Sequence, residues 1–207
     1  TLQNPFPTTE FGLCEIAIIC DPHQASMFQI SGRNSAAGTL NYTSSPTTIA
    51  PDNAITNIGS YGDDAQITPY KPVIYFIAPS TQNPAINSLK KRFFQARLIA
   101  GVETAEMWEE ELLEGVESMQ ILYGLDVDND QIADRFEAAN DIAASEWPNV
   151  ITVRLGLLMA TGEEVTSQID SNSYNVAGTI ISAPTTPADR RLLYVVNTTI
   201  NLRNRVQ

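Results

Sequence analysis

Hydrophobic and polar residues alternate along much of this chain, which is the pattern of β-strands with one buried face. The clearest alternation is in residues 150–159, where every second residue is large and apolar: Ile151, Val153, Leu155, Leu157 and Met159. Residues 194–202 alternate in the same way, and residues 73–78 form an apolar run that ends at Pro79. We predict strands at these three places and at residues 15–20, 26–30 and 119–123.

Other segments have different patterns. Residues 107–116 consist largely of helix formers, with Leu112, Leu113 and Val116 on one helical face, so we predict a short helix there. Residues 86–98 fit either a helix or a strand, and residues 138–146 fit either a short helix or coil. Residues 31–70 and 163–187 are polar and rich in turn formers, which predicts long loops, with room for one or two short strands in residues 31–70.

These elements predict one domain over residues 1–207, because the chain shows no internal repeat and no linker. The expected fold class is α+β, with a predominantly antiparallel β-sheet, a short helix and long loops. A chain with 43% apolar residues is able to form a hydrophobic core of this size.

The negative charge of the chain is concentrated in one segment. The formal net charge is −12, yet residues 101–146 hold fourteen acidic residues and a single base, Arg135, for a local charge of −13. The other residues carry eleven bases and ten acids, or +1. This distribution argues against nucleic-acid binding, which needs a basic surface. It suits a cation site or an acidic docking surface, although a solvated acidic surface also explains Glu103 to Glu117.

The acidic segment contains a candidate calcium site at residues 126–137. Carboxylates occupy positions 1, 3, 5, 9 and 12 of this twelve-residue window, which is the ligand spacing of an EF-hand loop. Ca²⁺ prefers oxygen ligands, and closely spaced acids repel one another unless a cation lies among them. The predicted ligands are four aspartate carboxylates, one backbone carbonyl and one glutamate: Asp126, Asp128, Asp130, Asp134, Ile132 (through its carbonyl) and Glu137.

Two positions in this window limit the prediction. Position 6 is Gln131 in place of the usual Gly, and a non-Gly residue in a left-handed turn costs about 1 kcal/mol. The alternative for Glu137 is that Phe136 begins a strand that turns position 12 elsewhere. A solvated acidic loop without metal is the alternative for the whole window.

The two cysteines, Cys14 and Cys20, allow two interpretations. An exported protein would ordinarily oxidise such a pair. However, a straight strand over residues 14–20 would separate the two Cα atoms by roughly 20 Å, whereas a disulfide needs about 4.4–6.8 Å. Either this segment is bent or the thiols are unpaired.

No apolar run approaches the ~18 residues that would suggest a membrane-spanning helix. The chain begins at Thr1 with neither Met nor a signal peptide, so we expect an N-terminal part of the native protein to precede it. Enzymatic activity is not expected. The single histidine, His23, offers little for a catalytic triad, and the chain has neither a GxGxxG motif nor a Walker loop.

Several stretches together carry a family resemblance. Residues 115–124 read Gly-Val-Glu-Ser-Met-Gln-Ile-Leu-Tyr-Gly and lead into the acidic loop, and residues 153–158 read Val-Arg-Leu-Gly-Leu-Leu. Residues 189–192 (Asp-Arg-Arg-Leu) and 198–204 (Thr-Thr-Ile-Asn-Leu-Arg-Asn) complete the set. In order and composition these stretches resemble the PilW family of type IV pilus minor pilins, most closely from about residue 105 to 160.

The resemblance implies a hydrophobic N-terminal helix, absent from this chain, that anchors the precursor in the inner membrane and later packs in the fibre core. The globular part would be an antiparallel sheet packed on that helix. Implied partners are other minor pilins, in a tip complex that primes assembly, and the major pilin, with a tip adhesin as a further candidate. Nucleic acid is not among them, and membrane contact is made only through the missing helix. The implied location is the inner membrane facing the periplasm and then the extracellular pilus, with roles in adhesion and twitching motility.

Two alternatives remain at this point. One is a minor pseudopilin of a type II secretion system, since PilW-like proteins are related to the GspJ pseudopilins. The other is a calcium-dependent extracellular adhesin domain. Sequence upstream of Thr1 would separate them, because pilins and pseudopilins have an apolar helix after a prepilin-type cleavage site.

Overall fold

The computed structural model describes residues 10–43, 53, 57–99, 102–183 and 190–202. Strands make up 54% of the chain, and the described residues contain one 3₁₀ turn, Trp147–Asn149, but no α-helix. The strands, numbered in chain order, are β1 (Ile16–Cys20), β2 (Ala25–Gln29), β3 (Gly32–Asn34), β4 (Thr39–Asn41), β5 (Gln66–Tyr70), β6 (Val73–Pro79), β7 (Asn87–Ile99), β8 (Val102–Glu114), β9 (Val116–Leu125), β10 (Arg135–Glu137), β11 (Val150–Ala160), β12 (Ser173–Val176), β13 (Thr179–Ser182) and β14 (Leu193–Asn201).

The predicted α+β class is therefore wrong, since the fold is mostly β-sheet. The predicted short helix at residues 107–116 is the element that fails, because this segment forms β8 and the start of β9. Gly115 separates the two strands with φ +81, and a Cβ there would lie 2.4 Å from the carbonyl oxygen of Ala160. The chain thus turns at a position that a helix would have had to pass through.

Contacts between side chains of β7 and β8 explain why helix formers adopt a strand here. Lys91 pairs with Glu110 at 2.8 Å and Arg92 with Glu109 at 2.9 Å. The Arg97 guanidinium lies 3.8 Å from the ring centroid of Trp108. Such cross-strand pairs stabilise a sheet by a few tenths of a kcal/mol to about 1 kcal/mol each, enough to override the small differences in helix propensity. The segment at residues 86–98, which fitted either structure, is likewise a strand.

Residue contacts divide the chain into two compact units. The first comprises Thr1–Ile74 and Lys91–Glu110, and the second Tyr75–Lys90 and Glu111–Gln207. Strands β6, β7 and β8 form a sheet in that order. The expectation of one domain over residues 1–207 stays a prediction, because a division by contacts does not test whether either unit folds alone.

The first unit contains an antiparallel sheet in the order β2-β1-β5 and a small hairpin, β3–β4. Its core consists of fully or nearly fully buried apolar side chains: Phe11, Ala17, Phe28 and Ile30. Strand β1 is regular over Ile16–Cys20, and both cysteines are free thiols. Of the two interpretations of the cysteine pair, the structure agrees with the one in which Cys14 and Cys20 do not form a disulfide.

The second unit is built on an antiparallel sheet in the order β10-β9-β11-β14. The hairpin β12–β13 packs against it through a buried cluster, Leu158, Ala160, Val176, Ala183 and Leu193. This hairpin lies inside the predicted loop region 163–187, just as β3, β4 and β5 lie inside 31–70. Residues 44–52, 54–56 and 184–189 of those two regions lie outside the described residues.

The two faces of this four-stranded sheet differ in character. The register places Leu157 between Met119 and Val196, and Val153 between Tyr123 and Ile200. We call this side the apolar face; its apolar members are Met119, Ile121, Tyr123, Val153, Leu155, Leu157, Tyr194, Val196 and Ile200. Thr198, opposite Leu155, is the one polar residue among them on β14. The apolar side chains are only partly buried, and those on β14 are 46–51% exposed. The opposite face is more polar and carries the β12–β13 hairpin.

A network around Glu111 connects β8 to the turn that follows β6. The Glu111 carboxylate accepts hydrogen bonds from the hydroxyls of Ser80 (2.8 Å), Ser88 (2.9 Å) and Thr81 (2.7 Å), and from the backbone N–H of Thr81 (2.8 Å). These donors favour the ionised form. They lower the pKa of Glu111 from 4.5 to about 2, with the Thr81 N–H as the largest cause.

We predict that Glu111→Gln destabilises the protein at neutral pH and that the difference disappears in acid. Because the folded-state pKa is lowered, the ionised group stabilises the fold fully above pH 4.5 and loses this effect as the pH falls towards 2. Urea unfolding of both proteins at several pH values between 7 and 2.5 measures it. The control is Glu110→Gln, which removes a single exposed ion pair; an equal pH-dependent loss in that variant would contradict the role of the network.

Candidate metal centre

The acidic loop lies between β9 and β10, and the sheet fixes both of its ends. The Asp126 N–H donates to the carbonyl of Asn149 at 2.9 Å, and the Asp134 N–H donates to the carbonyl of Leu125 at 2.8 Å. Residues 126–134 therefore form a closed loop at one end of the four-stranded sheet. Such closure restrains the backbone on which the predicted ligands are placed.

Aspartate side chains also bond the backbone of the loop from inside. The two oxygens of Asp126 accept from the N–H groups of Asp130 (3.1 Å) and Gln131 (2.9 Å). Asp134 accepts from the Val127 N–H at 2.7 Å, and Asp130 from the Ile132 N–H at 2.8 Å. Short Asp side chains commonly bond backbone groups close to them in sequence, and here they curl the loop around its own carboxylates.

Three of the predicted ligands are brought together. Asp126, Asp128 and Asp130 each offer one carboxylate oxygen, and these oxygens lie within 4.8 Å of one another. Asp126 is 6% exposed, whereas the other two are exposed. The pKa of Asp128 is raised, first by desolvation and then by the negative charges of Asp130, Asp134 and Asp126. An all-oxygen, negatively charged set of this kind fits a hard cation such as Ca²⁺.

The other predicted ligands have different surroundings. The Asp134 carboxylate is the acceptor for Val127, and the side chain of Ile132 is 66% exposed. Glu137 lies in β10 and pairs with Arg135 at 2.9 Å. Position 12 therefore lies in a strand, as in the alternative considered for it, and Glu137 pairs with Tyr123 of β9.

Position 6 of the loop has the left-handed backbone conformation that is usual for the Gly of an EF-hand loop. Gln131 has φ +70, and Asn129, two residues earlier, has φ +62. Asn adopts this left-handed region more easily than most residues, whereas Gln gains nothing there. The strain expected for a non-Gly residue at position 6 is therefore located at Gln131.

Sequence reasoning missed the role of Arg135. The sequence shows it only as a lone positive charge, yet its guanidinium bonds both Glu137 and Glu146. The hydrogen bond from Arg135 to Glu146 is the largest cause of the lowered pKa of Glu146. Arg135 thereby ties β10 to the segment before the 3₁₀ turn. A single base among many acids indicates that Arg135 forms ion pairs. Its partner Glu146 could not be identified from the sequence, because a separation of eleven residues follows no helix or strand spacing.

Comparison with known families identifies the group to which this architecture belongs. Residues 74–204, 131 of the 207 residues, match the family described as Type IV Pilus-assembly protein W. The chain belongs to the PilW family. The match begins within β6 and includes the acidic loop, the four-stranded sheet and the β12–β13 hairpin. No curated protein and no solved structure matches the chain.

Membership of the PilW family gives the chain a role related to type IV pilus assembly and a location associated with the cell envelope. The family is a structural assembly family and not a known enzyme family, and its role suggests interaction with other pilus components. Among the described residues, no helix is long and apolar enough to cross a membrane.

We predict that Gln131→Gly stabilises this PilW-family chain by up to about 1 kcal/mol, because glycine removes the strain of φ +70 while keeping the N–H that Asp126 accepts. Urea unfolding in the presence of chelator measures the effect without a contribution from metal. Gln131→Ala is the matched control: it keeps a Cβ and should not stabilise. A gain of the same size in both variants would show that the backbone conformation is not the cause.

Proposed function

We propose that this chain is a PilW-like minor pilin that contributes to a tip complex initiating type IV pilus assembly, with calcium ordering its acidic loop. Family membership supplies the assembly role. The observation that carries the finer proposal is the apolar face, nine large apolar side chains in register across β9, β11 and β14.

The apolar face supports this proposal because of its size and continuity. Single exposed apolar side chains are ordinary, whereas a contiguous apolar surface is typical of a packing site. In minor pilins the sheet of the globular part packs on an apolar helix, and a three-stranded face provides the width such a helix needs. We propose that this helix is the occupant of the apolar face.

The calcium part of the proposal rests on the loop geometry. Three carboxylate oxygens within 4.8 Å repel one another, and a divalent cation between them would replace that repulsion with attraction. The carbonyl of Ile132, together with Asp134 and Glu137 after side-chain rearrangement, would add oxygens towards the 6–8 that Ca²⁺ prefers. Since the loop leads directly into β10, calcium would stiffen the edge of the four-stranded sheet.

We predict that calcium raises the melting temperature of the chain by a few degrees. Extracellular sites of this kind have dissociation constants near 10⁻⁴–10⁻³ M, so about 2 mM calcium would add roughly 0.6–1.8 kcal/mol of stability. Thermal unfolding with calcium, with magnesium and with chelator measures it. Asp128→Ala should abolish the shift, whereas Asp141→Ala, at an exposed aspartate outside the loop, should preserve it. The proposal is falsified if calorimetry at millimolar calcium shows neither binding heat nor a thermal shift.

We also predict that a charge on the apolar face blocks pilus assembly. Ile200→Asp, introduced into the native protein in its own cells, should strongly reduce the number of surface pili, because burying an unpaired carboxylate against an apolar helix is unfavourable. Electron microscopy and quantification of sheared pili are the measurements.

The matched control is Ile180→Asp. Ile180 is also exposed, at 64%, but lies on β13 outside the apolar face, so this variant should assemble pili normally. Both variants should be present at wild-type levels in the cell. Normal piliation of the Ile200→Asp strain would contradict packing at this face, and normal piliation in the absence of the whole protein would contradict the assembly role.

A further inference from the structure

The face of the four-stranded sheet opposite the apolar face contains a groove of about 480 Å³. It lies beside the turn of the β12–β13 hairpin and is bordered by residues of β11, β12 and β14: Arg154, Asn175, Ala177, Gly178, Asn197, Thr198 and Thr199. The register places Arg154 directly opposite Thr199, and Gly156 opposite Asn197. The pairing of β11 with β14 therefore fixes the positions of the residues that border the groove.

Two glycines of the sheet allow this groove to form. At Gly156 a Cβ would lie 2.7 Å from the backbone nitrogen of Ala177, so the absence of a side chain lets the hairpin turn approach the sheet. At Gly124 a Cβ would lie 2.9 Å from the Phe136 ring, so the absence of a side chain there makes room for the ring over β9. The Phe136 ring in turn contacts the Arg154 guanidinium, with 3.7 Å from its carbon to the ring centroid.

The polar groups around the groove are predominantly hydrogen-bond donors. The side-chain oxygen of Asn197 accepts from the Ala177 N–H at 2.9 Å, and that of Asn175 accepts from the Gly178 N–H at 2.8 Å. Because a backbone N–H can be accepted only by the amide oxygen, these two bonds fix which way each carboxamide is oriented. Both NH₂ groups are thus left as donors.

Arg154 adds the charge. Its guanidinium makes a cation–π contact with the Phe136 ring, which restrains it, and no carboxylate among the described residues pairs with it. In a chain of net charge −12, a preorganised guanidinium beside two carboxamide NH₂ groups is a local site for an anionic acceptor. A carboxylate has the matching geometry, since it accepts several hydrogen bonds and pairs with guanidinium.

The open edge of β14 indicates what would carry that carboxylate. Thr161 and Leu202 donate their N–H groups to Leu192 and Ile151, so by antiparallel alternation Asn197 and Thr199 direct their backbone groups away from β11. No strand among the described residues pairs with that side of β14. An extended segment can therefore add to this edge and direct every second side chain to the groove side of the sheet.

We propose that this groove and the adjoining β14 edge bind an extended acidic segment of a partner protein, with one Glu or Asp side chain held by Arg154, Asn175 and Asn197. The peptide backbone bonds the edge of β14, and Phe136 acts as a positioning residue by fixing the guanidinium. Arg154, Asn175 and Asn197 are neither proposed calcium ligands nor part of the apolar face, so a failure of this site can be distinguished from a failure of the proposed function.

The test uses the chain of residues 1–207 and two capped nine-residue peptides of alternating Thr and Ser, one with a central Glu and one with a central Gln. Backbone and side-chain amide NMR shifts locate binding, and calorimetry measures affinity at about 0.15 M salt, where distant charges are screened. The Glu peptide should shift Asn197, Thr199 and the Asn175 side chain and bind about tenfold more tightly than the Gln peptide.

Variants separate the charge from the fold. Arg154→Gln should remove the preference for Glu, whereas Arg190→Gln, an exposed arginine paired with Glu164, should retain it. Asn197→Asp keeps an oxygen for the Ala177 N–H but replaces the NH₂ donor with a negative charge, so it should reverse the preference. An unchanged melting temperature shows that each variant is folded.

Other outcomes would overturn the proposal. Equal binding of the two peptides, or no binding of either at millimolar concentration, removes the acidic preference. Displacement of the Glu peptide by acetate at equal concentration would assign the groove to small carboxylates. Self-association of the chain that Arg154→Gln abolishes, seen by sedimentation, would assign it to a second copy.

Discussion

Antiparallel pairing of β11 with both β9 and β14 determines the positions of all the surfaces described above. Because side chains alternate with period two, one register fixes two faces, and a slip of one residue would exchange them. Leu155 and Leu157 then share the apolar face, while Arg154 and Gly156 face the hairpin. The closeness of Thr152 to Gly124 and of Asn197 to Gly156 indicates how little room this register leaves for larger side chains.

Local patterns were predictable from the sequence, and pairing across strands was not. The alternation of residues 150–159 and 194–202 predicted both strands and their apolar sides, because successive side chains of a strand point to opposite faces of the sheet. The helix expected at residues 107–116 failed because its Glu and Leu residues favour a helix only weakly, whereas pairing of Glu109 and Glu110 with bases of β7 requires knowledge of the partner strand. The hairpin β12–β13 does contain apolar residues, among them Val176 and Ile181, but its strands are only four residues long, so the alternation within each one gave a weak signal.

The acidic loop shows the same division within a single site. Asp126, Asp128 and Asp130 are brought together because their spacing is local and the curl of the loop follows from their own side-chain bonds. Glu137 belongs instead to β10, where the register with Tyr123 and the neighbouring Arg135 determine its orientation. The sequence thus predicted which carboxylates lie together inside the loop better than it predicted the placement of Glu137, since the last position depends on how the strand pairs.

Strand β10 connects the loop to the rest of the sheet. Its three residues have separate contacts: Arg135 bonds Glu137 and Glu146, and Phe136 contacts Arg154 on β11. A short edge strand of this length is held weakly by its own backbone bonds, so its position depends on the closed loop that precedes it. Any change that orders the loop therefore also restricts the Phe136 ring and, through it, the guanidinium of Arg154. Strand β10 thus connects the loop to the groove, although the two would bind charges of opposite sign.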